Sequence, residues 1–181
     1  MKRLSTILLA LALAGCAATP PPSSQARGPS EGTVLRRATL VTHDIEKSIA
    51  FYSMIGFEPW FLGPPGKITE TGLPVEGTKV GDPSRFVIMR GKHPHIGMVG
   101  LLQYGEATQP AEPALRHGDA IMMIEAEGLD RIYAELVAAG YKVIKPIKTS
   151  HIKTAEAEWD SRVAMVFDPD GHMVELVERL N

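Results

Sequence analysis

Apolar residues change their rhythm several times along this chain, and the changes divide it. Leu4 to Ala14 is a mostly apolar stretch behind Lys2 and Arg3. It is too brief to cross a ~30 Å hydrocarbon core as a helix, so it reads as a signal segment over 1–15. Ala17 to Gly32 has no apolar periodicity and is rich in Pro, Ser and Gly, so 16–32 is expected to be an extended tether. From 33 onward regular patterns appear. Alternation predicts strands near 34–42, 57–62, 85–90 and 96–104, and again near 119–126, 141–148, 162–168 and 172–177. Between the first two strands of each set, apolar residues at i, i+4 and i+7 (Ile45, Ile49, Tyr52; Leu129, Tyr133, Leu136) predict a helix. A glycine follows each helix, Gly56 or Gly140, where a left-handed turn would end it.

The two sets are copies of one another. His43–Tyr52 can be laid without gaps on Glu127–Leu136, an offset of 84 residues from 43 to 127, so that Glu46 meets Asp130 and Phe57 meets Tyr141. Later, Asp82–Met89 resembles Trp159–Val166, and Met98-Val99-Gly100-Leu101 lies on Met173-Val174-Glu175-Leu176. The expected fold is α+β, with tandem βαβββ modules. The folded domain spans 33–181, with module one at about 33–105 and module two at about 117–181.

Composition adds exclusions. The chain has 181 residues, 44% apolar and 22% charged, with 19 basic against 21 acidic side chains and a net charge of −2. No basic stretch is interleaved with aromatics, so nucleic acid is not an expected partner. Cys16 is the single cysteine, which rules out an intramolecular disulfide. No phosphate loop, Ser-His-Asp order or Cys-His nucleophile pattern can be placed.

Two resemblances carry the reading further. Leu13-Ala14-Gly15-Cys16 resembles the bacterial lipobox, which implies cleavage before Cys16 and lipidation of its thiol. Ala17 after the cysteine favours the outer membrane, facing the periplasm. The membrane would then be a partner through the anchor. Thr39 to Tyr52, with His43-Asp44-Ile45-Glu46-Lys47-Ser48 leading to Phe51-Tyr52, resembles the first strand and helix of the vicinal oxygen chelate superfamily. Phe167-Asp168-Pro169-Asp170-Gly171-His172-Met173-Val174-Glu175-Leu176 resembles its closing hairpin. The resemblance covers about Val34 to Arg179. It implies two curved sheets around a cavity that, in the enzymes of the family, holds one divalent metal.

The resemblance also places the ligand positions, and here the residues depart from it. Seven residues before Asp44 is Arg37, and the same count from Gly128 gives Ile121; the last-strand positions are Gly100 and Glu175. Only Glu175 can donate to a metal, since arginine has no lone pair to give and glycine and isoleucine have no donor. No cofactor is expected, and a divalent metal only through an unusual site. A register slip of two residues would bring in Asp119, which with Glu175 makes two carboxylates, short of the three protein ligands usual at a catalytic zinc, and His93 and His95 form an exposed loop.

The expected cavity face is Arg37, Thr39, Val41, Met98, Leu102, Ile121, Met123, Met173, Glu175 and Val177, mostly apolar and rich in methionine, which suits varied apolar partners. Arg37 and Glu175 are expected to converge, with the guanidinium in the cation's place. The leading expectation is a lipid-anchored envelope protein that binds a small, partly apolar molecule, in which a homodimer is compatible with the duplicated modules. Whether it is an enzyme stays open: the alternative is a glyoxalase- or dioxygenase-like enzyme with a degenerate metal site, in which Glu175 is the one catalytic candidate. A third reading is a non-catalytic interaction module.

Overall fold

The computed structural model describes residues 32–70, 72–106 and 113–180. The expected signal segment at 1–15, the lipidation site Cys16 and the tether as far as 31 lie outside the described residues. By its contacts the chain divides between Thr33 and Val34, and the following description concerns the unit that starts at Val34.

Module one consists of β1 (Arg37–Thr42), α1 (Ile45–Met54), β2 (Glu58–Leu62), β3 (Gly66–Lys67), β4 (Pro83–Arg90) and β5 (Met98–Tyr104). Module two consists of β6 (Ile121–Glu125), α2 (Leu129–Ala138), β7 (Val143–Lys153), β8 (Glu158–Phe167) and β9 (Met173–Arg179). The sheets run β1-β5-β4-β2, with β3 added against β4, and β6-β9-β8-β7. In each module the first strand lies parallel to the last and forms the sheet edge. The α+β expectation of two βαβββ modules therefore holds. Two details differ from the sequence reading: β3 is added, and β7 runs on to Lys153, pairing with β8 as far as Glu158.

Local chemistry explains the helices. Asp44 accepts a hydrogen bond from the Lys47 amide at 3.2 Å, occupying one of the donors that a helix start leaves unpaired. Gly56 and Gly140 follow the helix ends at φ 103° and 80°, a region that disfavours a side chain. Where the repeat has Asp44, module two has Gly128, at φ 76° and with no capping side chain. The Glu178 carboxylate, reaching from β9, accepts from the Gly128 and Leu129 amides at 2.9 and 3.2 Å instead.

Both helices bury one stripe in a common core. Phe51 and Tyr52 from α1 and Leu129, Ile132 and Leu136 from α2 meet Val87, Met89, Val99 and Leu101 of one sheet and Ala164, Val166, Val174 and Leu176 of the other. Each Val, Leu, Ile, Phe or Met side chain among them contributes about 1.5–3 kcal/mol by leaving water. The Phe51 ring sits edge-on to Tyr141 of module two, 5.0 Å between centroids, so the two modules share their packing. Odd and even positions of a strand face opposite ways. The opposite, helix-free face of each sheet is the one that the family resemblance assigns to the site.

Candidate ligand-binding face

Strand register shows which predicted residues share a face. Arg37 stands beside Met98, Thr39 beside Gly100 and Val41 beside Leu102 in module one. Ile121 stands beside Met173, Met123 beside Glu175 and Glu125 beside Val177 in module two. Each group therefore lies on one sheet face, opposite the core. Met98, Met173 and Val177 are buried and make a floor, while Val41, Ile121 and Met123 stand at the edges, 41%, 47% and 70% exposed. A cleft of about 820 Å³ takes in Met123 of this group, together with Phe57, Arg90, Lys92 and Arg131 among others. Val41, Ile121 and Met123 thus leave the rim of each face open. The physical reason is that β1 and β6 are both sheet edges, so nothing in their own sheets continues past them.

Arg37 and Glu175 do not pair. Arg37 donates from Nε to Thr39 Oγ1 at 3.1 Å, and its guanidinium lies over the Phe86 ring, 4.9 Å from the centroid. Gly100 makes this possible. A Cβ placed there would come within 2.7 Å of Thr39 Oγ1 and 3.0 Å of Arg37 Cδ. Arg37 thus passes across the bare backbone of β5 to reach β4, and the two ligand-equivalent positions of module one form a single packing unit. Phe61, next to a β-bulge in β2, is registered with Ile88 and completes the row Thr39, Gly100, Ile88, Phe61. Trp60 is the residue displaced by that bulge. Trp159 in module two is stacked beneath Arg179 at 4.8 Å. Glu175 is half-buried, and among the described residues it has no hydrogen-bond or ion-pair partner.

The repeat also brings charged pairs together that the sequence alone did not join. Arg85 pairs with Glu46, and at the equivalent places Arg162 pairs with Asp130. These tie β4 and β8 to the helices of their modules.

A polar cluster unseen in the sequence joins the modules. Asp170, in the turn between β8 and β9, accepts from the backbone amide of His43 at 2.8 Å, from His43 Nδ1, and from Ser48 Oγ at 2.8 Å. Ser48 is also 2.6 Å from Thr42 Oγ1. Asp168 accepts from the Tyr52 hydroxyl at 3.0 Å, from the amides of Asp170 and His172, and from His172 Nδ1. Burial and the Asp168 carboxylate push the Tyr52 hydroxyl far above its ordinary range. Contact with the same carboxylate raises His172 above its ordinary value, and Asp170 and Asp119 add to the effect. Asp168, Asp170 and His172 are close enough to share a cation, with ligand atoms within 4.8 Å of one another. All four carboxylate oxygens, however, already accept from protein donors, so the arrangement works as a latch between modules.

The sequence matches the Glyoxalase family, described as the Glyoxalase/Bleomycin resistance protein/Dioxygenase superfamily, over residues 34–176. The chain belongs to this superfamily. Solved structures share the fold. A glyoxalase family protein from Bacillus cereus has a TM-score of 0.60 at 15% identity, covering 86% of this chain and all (100%) of its own. TnmS3, an antibiotic binding protein from Streptomyces sp. CB03234, has 0.50 at 20%, covering 83% and 98%. Glyoxalase I from Leishmania major, trypanothione-dependent, has 0.51 at 17%, covering 81% and 87%. A search of curated proteins returns no match.

Measured against the superfamily's metal, the residues do not fit. Of Arg37, Gly100, Ile121 and Glu175 one can donate, and the space beside Gly100 is taken by Arg37. Other sequence candidates are engaged or remote. Asp119 accepts from the Arg116 amide at 2.7 Å. His93 Nδ1 accepts from the His95 and Ile96 amides, which closes the His-Pro-His loop on itself.

Proposed function

We propose that this protein is a lipid-anchored member of the superfamily, held in the cell envelope through Cys16, that binds a small and partly apolar molecule on its helix-free faces without the superfamily's metal chemistry. The observation that carries the reading is the Arg37–Gly100 unit. It replaces two metal-ligand positions with a cation and the gap that seats it. The buried Met98 and Met173 on the floor supply an adaptable apolar surface. TnmS3 supports the reading in that the same fold serves there as an antibiotic binding protein. A second copy of the chain, covering the exposed Val41, Ile121 and Met123, would turn the open faces into a cup.

A second reading rests on Glu175, a half-buried carboxylate without a described partner. It could take a proton from a substrate in a metal-free, glyoxalase-like lyase. Hemithioacetal turnover lost in Glu175→Gln would favour it.

One experiment on the full chain in a Gram-negative host tests the main reading. Fractionation should find the protein in the outer membrane and Cys16→Ser in the soluble periplasm. Metal analysis of the purified protein should give no divalent ion whose binding depends on Glu175, while thermal-shift screening should find stabilising apolar ligands. Stoichiometric metal lost in Glu175→Gln would overturn the metal-free reading, and a Cys16→Ser variant that stays on the membrane would overturn the anchor.

A further inference from the structure

The helix-free face of module one carries a cation that has no counterion among the described residues. Nε of Arg37 is held by Thr39 and its plane is stacked on Phe86, yet its terminal nitrogens have no partner among the described residues. Its surroundings in the sheet are apolar or neutral: Thr39, Val41, Ile88, Met98, Gly100, Leu102 and Phe61 share its face by register. Glu58, which the register puts on the same sheet surface, is already paired with Arg90. The guanidinium is therefore fixed in place before any ligand arrives, with its two outward donors free and an apolar, aromatic floor beside it.

We propose that this face binds a small molecule bearing a carboxylate on an aromatic or otherwise apolar body. The carboxylate would take the paired Nη donors of Arg37, and the body would lie along Phe86, Phe61 and Leu102. A planar carboxylate matches the fork of a guanidinium with two parallel hydrogen bonds. A fixed guanidinium loses less freedom on binding than one that must first be ordered. Gly100 and Thr39 are positioning residues here, because they set where the guanidinium lies without touching the ligand. The inference rests on the binding reading above and narrows it to a ligand class.

The test compares 2-naphthoate with its neutral analogue 2-naphthalenemethanol, titrated calorimetrically against the full chain. The expected result is that 2-naphthoate binds about ten-fold tighter or more, since hydrogen bonds to charged groups exceed neutral ones by this order. Arg37→Met should remove the preference, the affinity for 2-naphthoate falling about ten-fold or more relative to that for the alcohol. Gly100→Ala keeps the charge but displaces it, so it should cut the preference in the same direction. Arg37→Lys should restore only part of it. Equal affinity for the two probes in the unaltered protein would overturn the carboxylate proposal and leave the apolar-binding reading standing; failure of both probes to bind would overturn this inference and count against that reading. A preference that survives Arg37→Met, or one that appears only in Glu175→Gln, would also overturn it, the second because the guanidinium would then be occupied by Glu175 of a second copy.

Discussion

His172 shows how a residue that looks incidental in sequence becomes part of the fold's joinery. In the sequence it belongs to the Asp-Pro-Asp-Gly-His run that resembles the superfamily's closing hairpin. In the structure its Nδ1 stands 3.0 Å from Asp168, whose other donors include Tyr52 from the far module. The Asp168 carboxylate raises the His172 pKa above the ordinary 6.5, with Asp170 and Asp119 also acting on it. A raised folded-state pKa favours the protonated form in the folded protein, so the stabilisation is complete below the unfolded value and is lost as pH climbs through the folded one. The melting temperature should therefore fall as pH is raised from about 6 into the alkaline range, an interval set by the ordinary histidine value. In His172→Gln the fall should be shallower. A melting profile of unchanged steepness in the variant would show that His172 is not the group responsible.

At the level of elements, the repeat was the legible part. Strand and helix periodicity located β1, α1, β6 and α2 because their buried stripes, such as Ile45 and Tyr52 or Leu129 and Leu136, recur at the spacing the core requires. The repeat also marked Arg85 with Arg162 and Glu46 with Asp130, although only the structure shows that each arginine reaches its helix. What stayed hidden depends on contacts between distant elements. The latch joins His43 to Asp170 and Tyr52 to Asp168, partners no local pattern links. The direction of Arg37 was hidden for a related reason: Arg37 and Gly100 looked like two separate losses, when the missing side chain of one is the seat of the other. The cap of α2 is a third such case, since Glu178 on β9 does from outside what Asp44 does from within. Glu178→Gln should destabilise the protein by about 1 kcal/mol, as a lost N-terminal carboxylate cap does elsewhere. Amide exchange at Gly128 and Leu129 should quicken ahead of the rest of α2. Loss of the Arg162 contact accompanies the change, so the amides, and not the overall stability, are the discriminating signal.

On the scale of the whole molecule, the two sheets end in edge strands, β1 and β6, with apolar side chains standing clear of the floor beside them. Exposed edges and apolar patches together favour association. In the proposed assembly a second copy covers Val41, Ile121 and Met123. Sedimentation of the purified protein should show a dimer at micromolar concentration, and Met123→Glu, at a position 70% exposed, should shift it to monomer while leaving the melting curve of the monomer intact. A wild-type protein that sediments as a monomer throughout that range would remove the second copy from the proposal.

Gly100 has a consequence for the routes by which such a protein can change. Introducing a metal-binding carboxylate there in one step would set its Cβ 2.7 Å from Thr39 Oγ1 and 3.0 Å from Arg37 Cδ, so the newcomer would arrive in an occupied place. Replacing Arg37 first would vacate the place but discard the fixed guanidinium before any ligand pair existed to succeed it. Neither single substitution leads downhill toward a chelating quartet. A chelating side chain at position 100 therefore needs Arg37 and Thr39 to give way together, so a metal site at this place takes more than one substitution.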